Sequence, residues 1–343
     1  MMITFFMDIK NAIFQLCRAP GASGSELAAA ETALELLRKF CPDAEIIGGN
    51  VIGRFGVHSL SKEDLVLDAH IDQIGMIVTH ITDQGFIKVG NLGGIDRRLL
   101  PAQQVRIHGK HTINGVICSV PPHLSKGDSK VISFDDAAID TGMTKAELEE
   151  IVSPGDAVTF DVSCHSLLGS RITGGALDDR CGVAAILRAL ELLEGKELKY
   201  NVTVIFSAQE ELGERGAKIG AYSLNPDLAI AVDVSFAYAN GENERKCGYL
   251  GEGAMIGISP CLSREISEKL IDAAKSANIP FQYEVMNDLT STNADQYSVA
   301  RNGAKACTVS IPLRNMHTPV EVIDLNDVEN TAAILCRFIG GEA

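Results

Sequence analysis

Side chains that bind metal ions or transfer protons recur where apolar, strand-like runs of the sequence end. They are His70 and Asp72 after LVLDA, Glu210 and Glu211 after VTVIFSA, Asp233 at the end of LAIAV, His317 after CTVSIP, and Asp178 and Asp179 in the turn TGGALDD. Open α/β sheets bind ligands at the carboxyl ends of their strands, so these side chains are expected to converge. Several carboxylates around two imidazoles cannot stay ionised together without cations. Mixed His and carboxylate ligands suit zinc, cobalt or manganese, and the sequence therefore predicts a metal site.

Each of these residues also has an ordinary structural role open to it. A single histidine after a strand is more often a hydrogen-bonded surface or core residue than a ligand. Asp178 and Asp179 could cap a helix and interact with its dipole, and Asp72 could occupy a turn. Glu210 and Glu211 could lie in a solvated loop. Only the joint pattern at the strand ends favours a metal site over these alternatives.

The residue types divide into the parts of a two-metal hydrolase. Such a site needs a bridging carboxylate, terminal ligands for each metal ion and one free base for water. Glu210 and Glu211 could supply a base and a ligand, because consecutive residues point in different directions. Asp72 could accept the second ring N–H of His70, which would fix the tautomer of that imidazole and raise its basicity.

The elements that must position these residues indicate an α/β domain with an insertion. Residues 23–40 have the apolar spacing of a helix, with Ser23 and Glu26 at capping-box spacing, and residues 65–69 have the character of a buried strand. Short β-like pieces and turns fill residues 71–165, with one predicted helix near TKAELEEI. From residue 172 onward, apolar strands alternate with helices, which favours a sheet covered on both faces.

The simplest architecture is therefore a catalytic α/β domain interrupted by a small β-rich domain. We predict that residues 1–70 and 166–343 form the first domain and that residues 71–165 form the second.

Composition and charge restrict the classes of partner. Of the 343 residues, 46% are apolar and 22% are charged, as in ordinary globular proteins. The formal net charge of −15 argues against nucleic acid or an anionic membrane surface as a partner. The nine cysteines are odd in number and never spaced Cys-x-x-Cys, which fits thiols in a reducing compartment. The first apolar run is too short for a signal peptide and no run approaches about 18 apolar residues, so we expect a cytoplasmic protein.

Five longer stretches carry a family resemblance. They are DAHIDQIGMIV at 68–78, GALDDRCGV at 175–183, SAQEELGERGA at 207–217, AIAVDVS at 229–235 and NMHTPVEVIDLNDVE at 315–329. In them the chain resembles the M42 metallo-aminopeptidases, a family that includes glutamyl aminopeptidases and tetrahedral aminopeptidases. The stretches NLGGIDRRLLPAQQVRIHG, GVICSVPPHL and NIPFQYEV match as well, and all of them run in family order over nearly the whole chain.

The resemblance implies two divalent metal ions, zinc or cobalt ahead of manganese, and a general base. The implied ligands are Asp178 as the bridge, His70 and Asp233 for one ion, and Glu211 and His317 for the other. Glu210 would be the general base. The reaction implied is release of N-terminal residues from short peptides.

The resemblance also implies a fold and an assembly. The family fold is an α/β zinc-peptidase domain with an inserted β-rich, PDZ-like domain used in assembly, which agrees with the predicted insertion at 71–165. Members of the family are cytoplasmic and build dodecamers from dimers, so a homo-oligomer is expected here.

Three departures from the family pattern concern the preferred side chain of the substrate. Gln73 stands where the family commonly has Glu, and Asn315 stands where an aromatic residue is frequent. Asn293 lies in a Thr-Asn-Ala stretch where the family carries Thr-Asp-Ala. None of the three removes an implied ligand or the base.

Two other functions compete with peptide hydrolysis. A glycoside hydrolase would use paired carboxylates as acid and nucleophile. Adjacent glutamates with two histidines fit metal chemistry better, and a chain without tryptophan lacks the usual sugar-stacking surface. A non-catalytic assembly module would be expected to have lost a ligand or the base, and the sequence retains them all.

Overall fold

One eight-stranded sheet organises the fold in a computed structural model that describes residues 7–121, 123–124, 131–241 and 243–340. In spatial order its strands are β1 (Glu45–Ile47), β2 (Asn50–Phe55), β12 (Asn201–Ser207), β3 (Asp64–His70), β13 (Leu228–Phe236), β16 (Lys305–Leu313), β14 (Ala254–Ile258) and β15 (Phe281–Val285). The four strands β12, β3, β13 and β16 are parallel to one another, whereas β2 and β14 run antiparallel to their neighbours β12 and β16. The sheet is therefore mixed, and its central strands end at one common edge.

Helices pack on this sheet and supply the rest of the core. They are α1 (Ile9–Arg18), α2 (Leu27–Leu37), α3 (Lys145–Glu149), α4 (Leu177–Leu193), α5 (Arg215–Leu224), α6 (Arg264–Ser276), α7 (Ala294–Val299) and α8 (Leu325–Ile339). Two short 3₁₀ helices span Arg97–Leu99 and Glu244–Lys246. Helix α4 packs against β3, β13 and α8, and eight of the nine residues of β13 are buried. Burial on that scale is expected of a strand covered on both faces, and the predicted α/β class is confirmed.

A closed barrel lies in the chain between β3 and α4. Its strands are β4 (Gly75–Ile81), β5 (Ile87–Leu92), β8 (Ile139–Asp140), β7 (Thr112–Ile117), β6 (Gln104–His108) and β9 (Ala157–Phe160), in order around the barrel. The barrel has its own apolar core, in which Met76, Ile87 and Ile107 are fully buried. The helix predicted near TKAELEEI is α3, whose first turn is closed by a capping box between Thr144 and Glu147.

A small three-stranded sheet joins the barrel to the α/β part of the chain. Its strands are β10 (His165–Ser166), β11 (Arg171–Gly174) and β17 (Glu321–Asp324). Strand β11 leads into α4, and β17 pairs antiparallel with β11. This sheet therefore holds the start of α4 beside the segment that follows β16.

The helix predicted over residues 23–40 begins later than its apolar spacing suggested. Helix α2 starts at Leu27, and Glu26 occupies its N-cap without a side-chain capping bond, so the predicted capping box with Ser23 is wrong. The Glu26 carboxylate instead accepts the main-chain N–H groups of Gly24 at 2.5 Å and Gln209 at 3.2 Å. A long-range contact to the loop after β12 has replaced the local cap. Within the described parts of the chain, every helix is too short or too polar to span a lipid bilayer.

Candidate metal centre

The common edge of the parallel strands brings the predicted site residues together. His70 is the last residue of β3, and Asp233 lies near the end of β13. Glu210 and Glu211 follow β12, and His317 lies in the loop after β16. Asp178 comes from the start of α4, where its backbone and that of the next residue are still non-helical, so the regular helix begins at residue 180.

Asp178 lies between the two histidines. Its Oδ1 is 3.0 Å from His70 Nε2, and its Oδ2 is 3.5 Å from His317 Nε2. Although burial opposes ionisation, the two imidazoles hold the pKa of Asp178 well below its ordinary value. A carboxylate with one oxygen toward each histidine has the arrangement of a bridging ligand between two cations.

The remaining carboxylates divide between the two histidines. On one side, His70 Nε2 lies 3.9 Å from Asp233 Oδ1, and on the other, His317 Nε2 lies 3.4 Å from Glu211 Oε1. Ligand atoms about 2.1 Å from a tetrahedral zinc ion are about 3.4 Å from one another. The observed separations, from 3.0 to 3.9 Å, therefore match ligand sets around two cations.

The electrostatics of the cluster also call for cations. Burial raises the pKa of Glu210 to about 9, and although His70 opposes the rise, Asp233 and Glu211 add to it. Burial likewise raises the pKa of Asp233 to about 8. Burial lowers the pKa of His317, but its bonds to Asp178 and Glu211 outweigh that effect and raise it to about 11. In this cluster the carboxyl groups resist ionisation and the imidazoles retain their protons. Divalent cations would replace those protons and balance the negative charge of the carboxylates.

Both histidines leave Nε2 available for a metal ion because Nδ1 faces a main-chain oxygen. His70 Nδ1 lies 3.1 Å from the carbonyl oxygen of Asp72, and His317 Nδ1 lies 2.9 Å from that of Gly94. The Asp72 carboxylate, expected to bind the His70 ring, is 3.6 Å from Nδ1 and instead accepts the main-chain N–H groups of Glu210 and Glu211. Main-chain carbonyls of this kind fix the tautomer of a ligating histidine.

Asp179 is close enough to His70 and Asp233 to be considered as a ligand in place of Asp178. Its carboxylate, however, accepts the main-chain N–H of His70 at 3.2 Å and that of Gly182 at 3.1 Å. Those bonds tie the start of α4 to the end of β3. Asp179 therefore organises the backbone of the site, while Asp178 faces both imidazoles.

Two contributors to the site were not predicted from the sequence. Glu321 on β17 is 2% exposed and accepts the main-chain N–H groups of Asp178 and His317, each at 3.2 Å. Gly94 comes from the barrel, so the barrel reaches the metal centre directly. The sequence offered two signals for them, the glutamate within the stretch NMHTPVEVI and the paired glycines of NLGGID. Neither signal shows which backbone atoms lie nearby in the fold.

A cavity of about 560 Å³ opens in front of the cluster. The two histidines and the carboxylates of the cluster line it, together with residues 283–292 and residues 245–247. The centre can therefore receive a small organic molecule alongside metal ions.

Comparisons with known proteins agree with this geometry. Residues 49–334 match the profile of the M42 glutamyl aminopeptidases. The curated lysyl aminopeptidase of Pyrococcus furiosus is 30% identical over 325 residues, which cover 92% of each chain. The chain belongs to the M42 glutamyl aminopeptidase family.

Solved structures show the same fold over the whole chain. An aminopeptidase from the archaeon Desulfurococcus kamchatkensis matches with a TM-score of 0.91 and 32% identity, covering 97% of this chain and 95% of that one. The TET1 peptidase of Pyrococcus horikoshii, which can assemble into a tetrahedron or a large octahedral shell, matches with a TM-score of 0.86 and 31% identity, covering 98% and 100%. A Thermotoga maritima structure named as an endoglucanase is also similar, with a TM-score of 0.78, 28% identity and 96% coverage of each chain.

Proposed function

We propose that this M42 aminopeptidase removes the first residue of short peptides with the aid of two divalent metal ions. The observation that carries the proposal is the position of Asp178, whose two oxygens face the two histidines separately. The chain offers His70 and Asp233 for one ion and Glu211 and His317 for the other, with zinc and cobalt ahead of manganese. When bound, such ions supply Lewis acidity toward the scissile carbonyl and make water acidic enough to serve as nucleophile.

Glu210 is proposed as the general base. Its Oε2 lies 3.9 Å from His70 Nε2. The proposed ligand sets of the two ions do not include Glu210, so its carboxylate is free to accept a proton. Glu210 would take a proton from the attacking water as the new C–O bond forms. It would then deliver that proton to the leaving amine nitrogen as the C–N bond breaks, which returns the carboxylate to its starting state.

The two-metal proposal is tested by removing and restoring the ions. Protein treated with EDTA and dialysed is expected to lose hydrolysis of a dipeptide, and added zinc, cobalt or manganese should restore it. Crystals soaked in zinc should give two anomalous peaks, one on either side of Asp178. Full activity without bound metal, or no peak between His70 and His317, would contradict the proposal.

The glycoside hydrolase alternative finds no support in the arrangement of the carboxylates. Asp178, Glu210, Glu211 and Asp233 each lie within 4 Å of an imidazole nitrogen. Glycosidases instead hold two carboxyl groups on opposite sides of a sugar-binding space. Assays on cellulose beside peptides, with the same metal-loaded protein, are expected to show turnover of peptides alone.

We also propose that residues 71–165 form an assembly domain of the PDZ-like type and that the protein is a homo-oligomer. Several large apolar side chains of this segment are exposed, among them Val116 at 44% and Val120 at 68%. Exposed apolar groups close together are typical of interaction surfaces. Light scattering should give a mass above that of one chain, with a dodecamer built from dimers as the expected form.

A charged substitution tests which part of the chain carries that assembly. Val120→Glu is expected to reduce the mass, whereas Val57→Glu, at an 88% exposed position outside the barrel, should leave it unchanged. A single-chain mass for the unaltered protein at every concentration would contradict the assembly proposal.

A further inference from the structure

The cavity in front of the candidate metal centre contains a half-buried acidic side chain that the proposed hydrolysis does not use. Glu284 lies on β15 and lines the cavity together with the two histidines. Its Oε2 accepts a hydrogen bond from Ser310 Oγ at 2.7 Å, and the hydroxyl of Ser235 also donates to it. Two hydroxyl groups from different strands therefore hold this carboxylate in a fixed place.

The two serines set the carboxylate beside the metal centre. Ser310 on β16 pairs in register with Asp233 on β13, so their side chains lie on the same face of the sheet. Ser235, two residues after Asp233, points to that face as well. The Ser310 hydroxyl that binds Glu284 therefore comes from the strand next to that of Asp233, and neighbouring strands lie about 4.8 Å apart.

This separation suits a long substrate side chain. With its amino group and scissile carbonyl at the proposed metal ligands, a first residue would direct its side chain from β13 across β16 toward Glu284. The stem of a lysine or arginine spans about 6 Å or more from Cα to its charged nitrogen atoms. That length matches a separation of one to two strands.

We propose that Glu284 binds the ammonium or guanidinium group of the first residue, so that the protein prefers peptides beginning with Lys or Arg. The inference rests on the proposed function, because it names the substrate class of the same site. Burial raises the pKa of the Glu284 carboxyl group, so the empty cavity disfavours its negative charge. A substrate cation would supply the missing partner in a place of low dielectric constant.

Other charged groups outside the histidine and carboxylate cluster line the cavity as well. Arg245 and Lys246 would favour an acidic first residue, and Asp288 would favour a basic one. All three residues are exposed, so solvent and salt screen their interactions with a substrate. Glu284 is less exposed than these three and is held by Ser310, so its effect on the choice of substrate should be the largest.

The test compares substrates that differ in the charge of the first side chain, with norleucine as the uncharged counterpart of lysine. Metal-loaded protein is assayed on the p-nitroanilides of lysine, arginine, norleucine and glutamate at the same pH. A charge-assisted hydrogen bond predicts that kcat/KM for lysine exceeds that for norleucine by about 10- to 100-fold. A norleucine or glutamate value equal to or above the lysine value would overturn the inference while leaving the peptidase function intact.

A matched pair of variants locates the effect. Glu284→Gln, with its unfolding midpoint checked against the unaltered protein, is expected to bring the lysine-to-norleucine ratio close to one. Asp288→Asn removes an exposed acid from the same cavity and should change the ratio less than about threefold. A ratio that survives in folded Glu284→Gln protein would overturn the inference.

Loss of all turnover would contradict the proposed function and still leave a direct test of the inference. Lysine hydroxamate and norleucine hydroxamate would then be titrated into the metal-loaded protein, and their dissociation constants compared. Tighter binding of the lysine compound by about 10-fold or more supports the role of Glu284, and equal binding overturns it.

Discussion

Replacing Glu210 with Gln should separate catalysis from stability, because the same carboxylate serves the first and opposes the second. The substitution keeps the size of the side chain and removes both its negative charge and its capacity to take a proton. Loss of a general base costs about 10²- to 10⁴-fold in turnover. We therefore expect Glu210→Gln to bind both metal ions and to lose at least 100-fold in kcat.

In the metal-free protein, the same substitution should raise the free energy of unfolding. In the cluster without cations, burial raises the pKa of Glu210 from an ordinary value of 4.5 to about 9. A carboxyl group with a raised pKa in the folded state lowers stability as the pH rises above its unfolded pKa, since the unfolded chain releases the proton more readily. At pH 7 this costs up to about 3 kcal/mol of the free energy of unfolding. Glu210→Gln removes that cost.

The assay is thermal unfolding of metal-free protein at pH 5 and pH 8, beside dipeptide turnover and metal content of the loaded protein. Glu210→Gln should unfold at a higher temperature than the unaltered protein at pH 8, and the two midpoints should approach each other at pH 5. Glu211→Gln is the control, because it should lose metal ions and regain activity only in excess metal. Lower stability of metal-free Glu210→Gln at pH 8, or rescue of its turnover by excess metal, would refute the reasoning.

Two further pairs of substitutions test how the backbone supports the centre. Asp178→Asn should lower the metal content measured by mass spectrometry. Asp179→Asn should retain the metal ions but lower the unfolding midpoint, because the Asp179 carboxylate accepts main-chain N–H groups. The reverse result would exchange the roles of the two residues. Gly93→Ala should lose activity, because at a φ of +77° its new Cβ would lie 2.9 Å from Glu211 Oε2. Gly142→Ala is the control, because Gly142 has a similar left-handed backbone at a φ of +73° and open space around it. It should share only the loss of stability, about 1 kcal/mol. Equal turnover of the two variants would count against a contact between residue 93 and Glu211.

The convergence of the site was predictable because parallel strands impose it. His70, Asp233 and the pair of glutamates each follow an apolar run, and a parallel sheet brings the ends of such runs to one edge. The α/β class followed from the same runs, since strands buried on both faces lack the alternation of polar and apolar residues. Neither inference needed the geometry of any single side chain.

The details that the sequence did not reveal depend on main-chain atoms brought together by the fold. The spacing of Ser23 and Glu26 satisfied the local pattern of a capping box. The Glu26 carboxylate nevertheless accepts the main-chain N–H of Gln209, 183 residues away. Glu321 and Gly94 contact Asp178 and His317, two of the proposed ligands, through backbone atoms, and such contacts leave no periodic trace in the sequence. Glu284 is similar, because its position depends on a register between strands that are distant in sequence.

The adjacency of Glu210 and Glu211 follows from the way in which Asp72 holds them. Asp72 Oδ1 accepts the N–H of Glu210 at 2.9 Å, and its Oδ2 accepts the N–H of Glu211 at 3.1 Å. Two consecutive peptide groups can engage one carboxylate in this way, and their side chains then diverge. Glu210 turns toward His70 and Glu211 toward His317, so a single buried anchor positions one carboxylate at each half of the centre. Residues further apart in sequence would need separate anchors, and the distance between the proposed base and the proposed ligand would no longer be set by one residue.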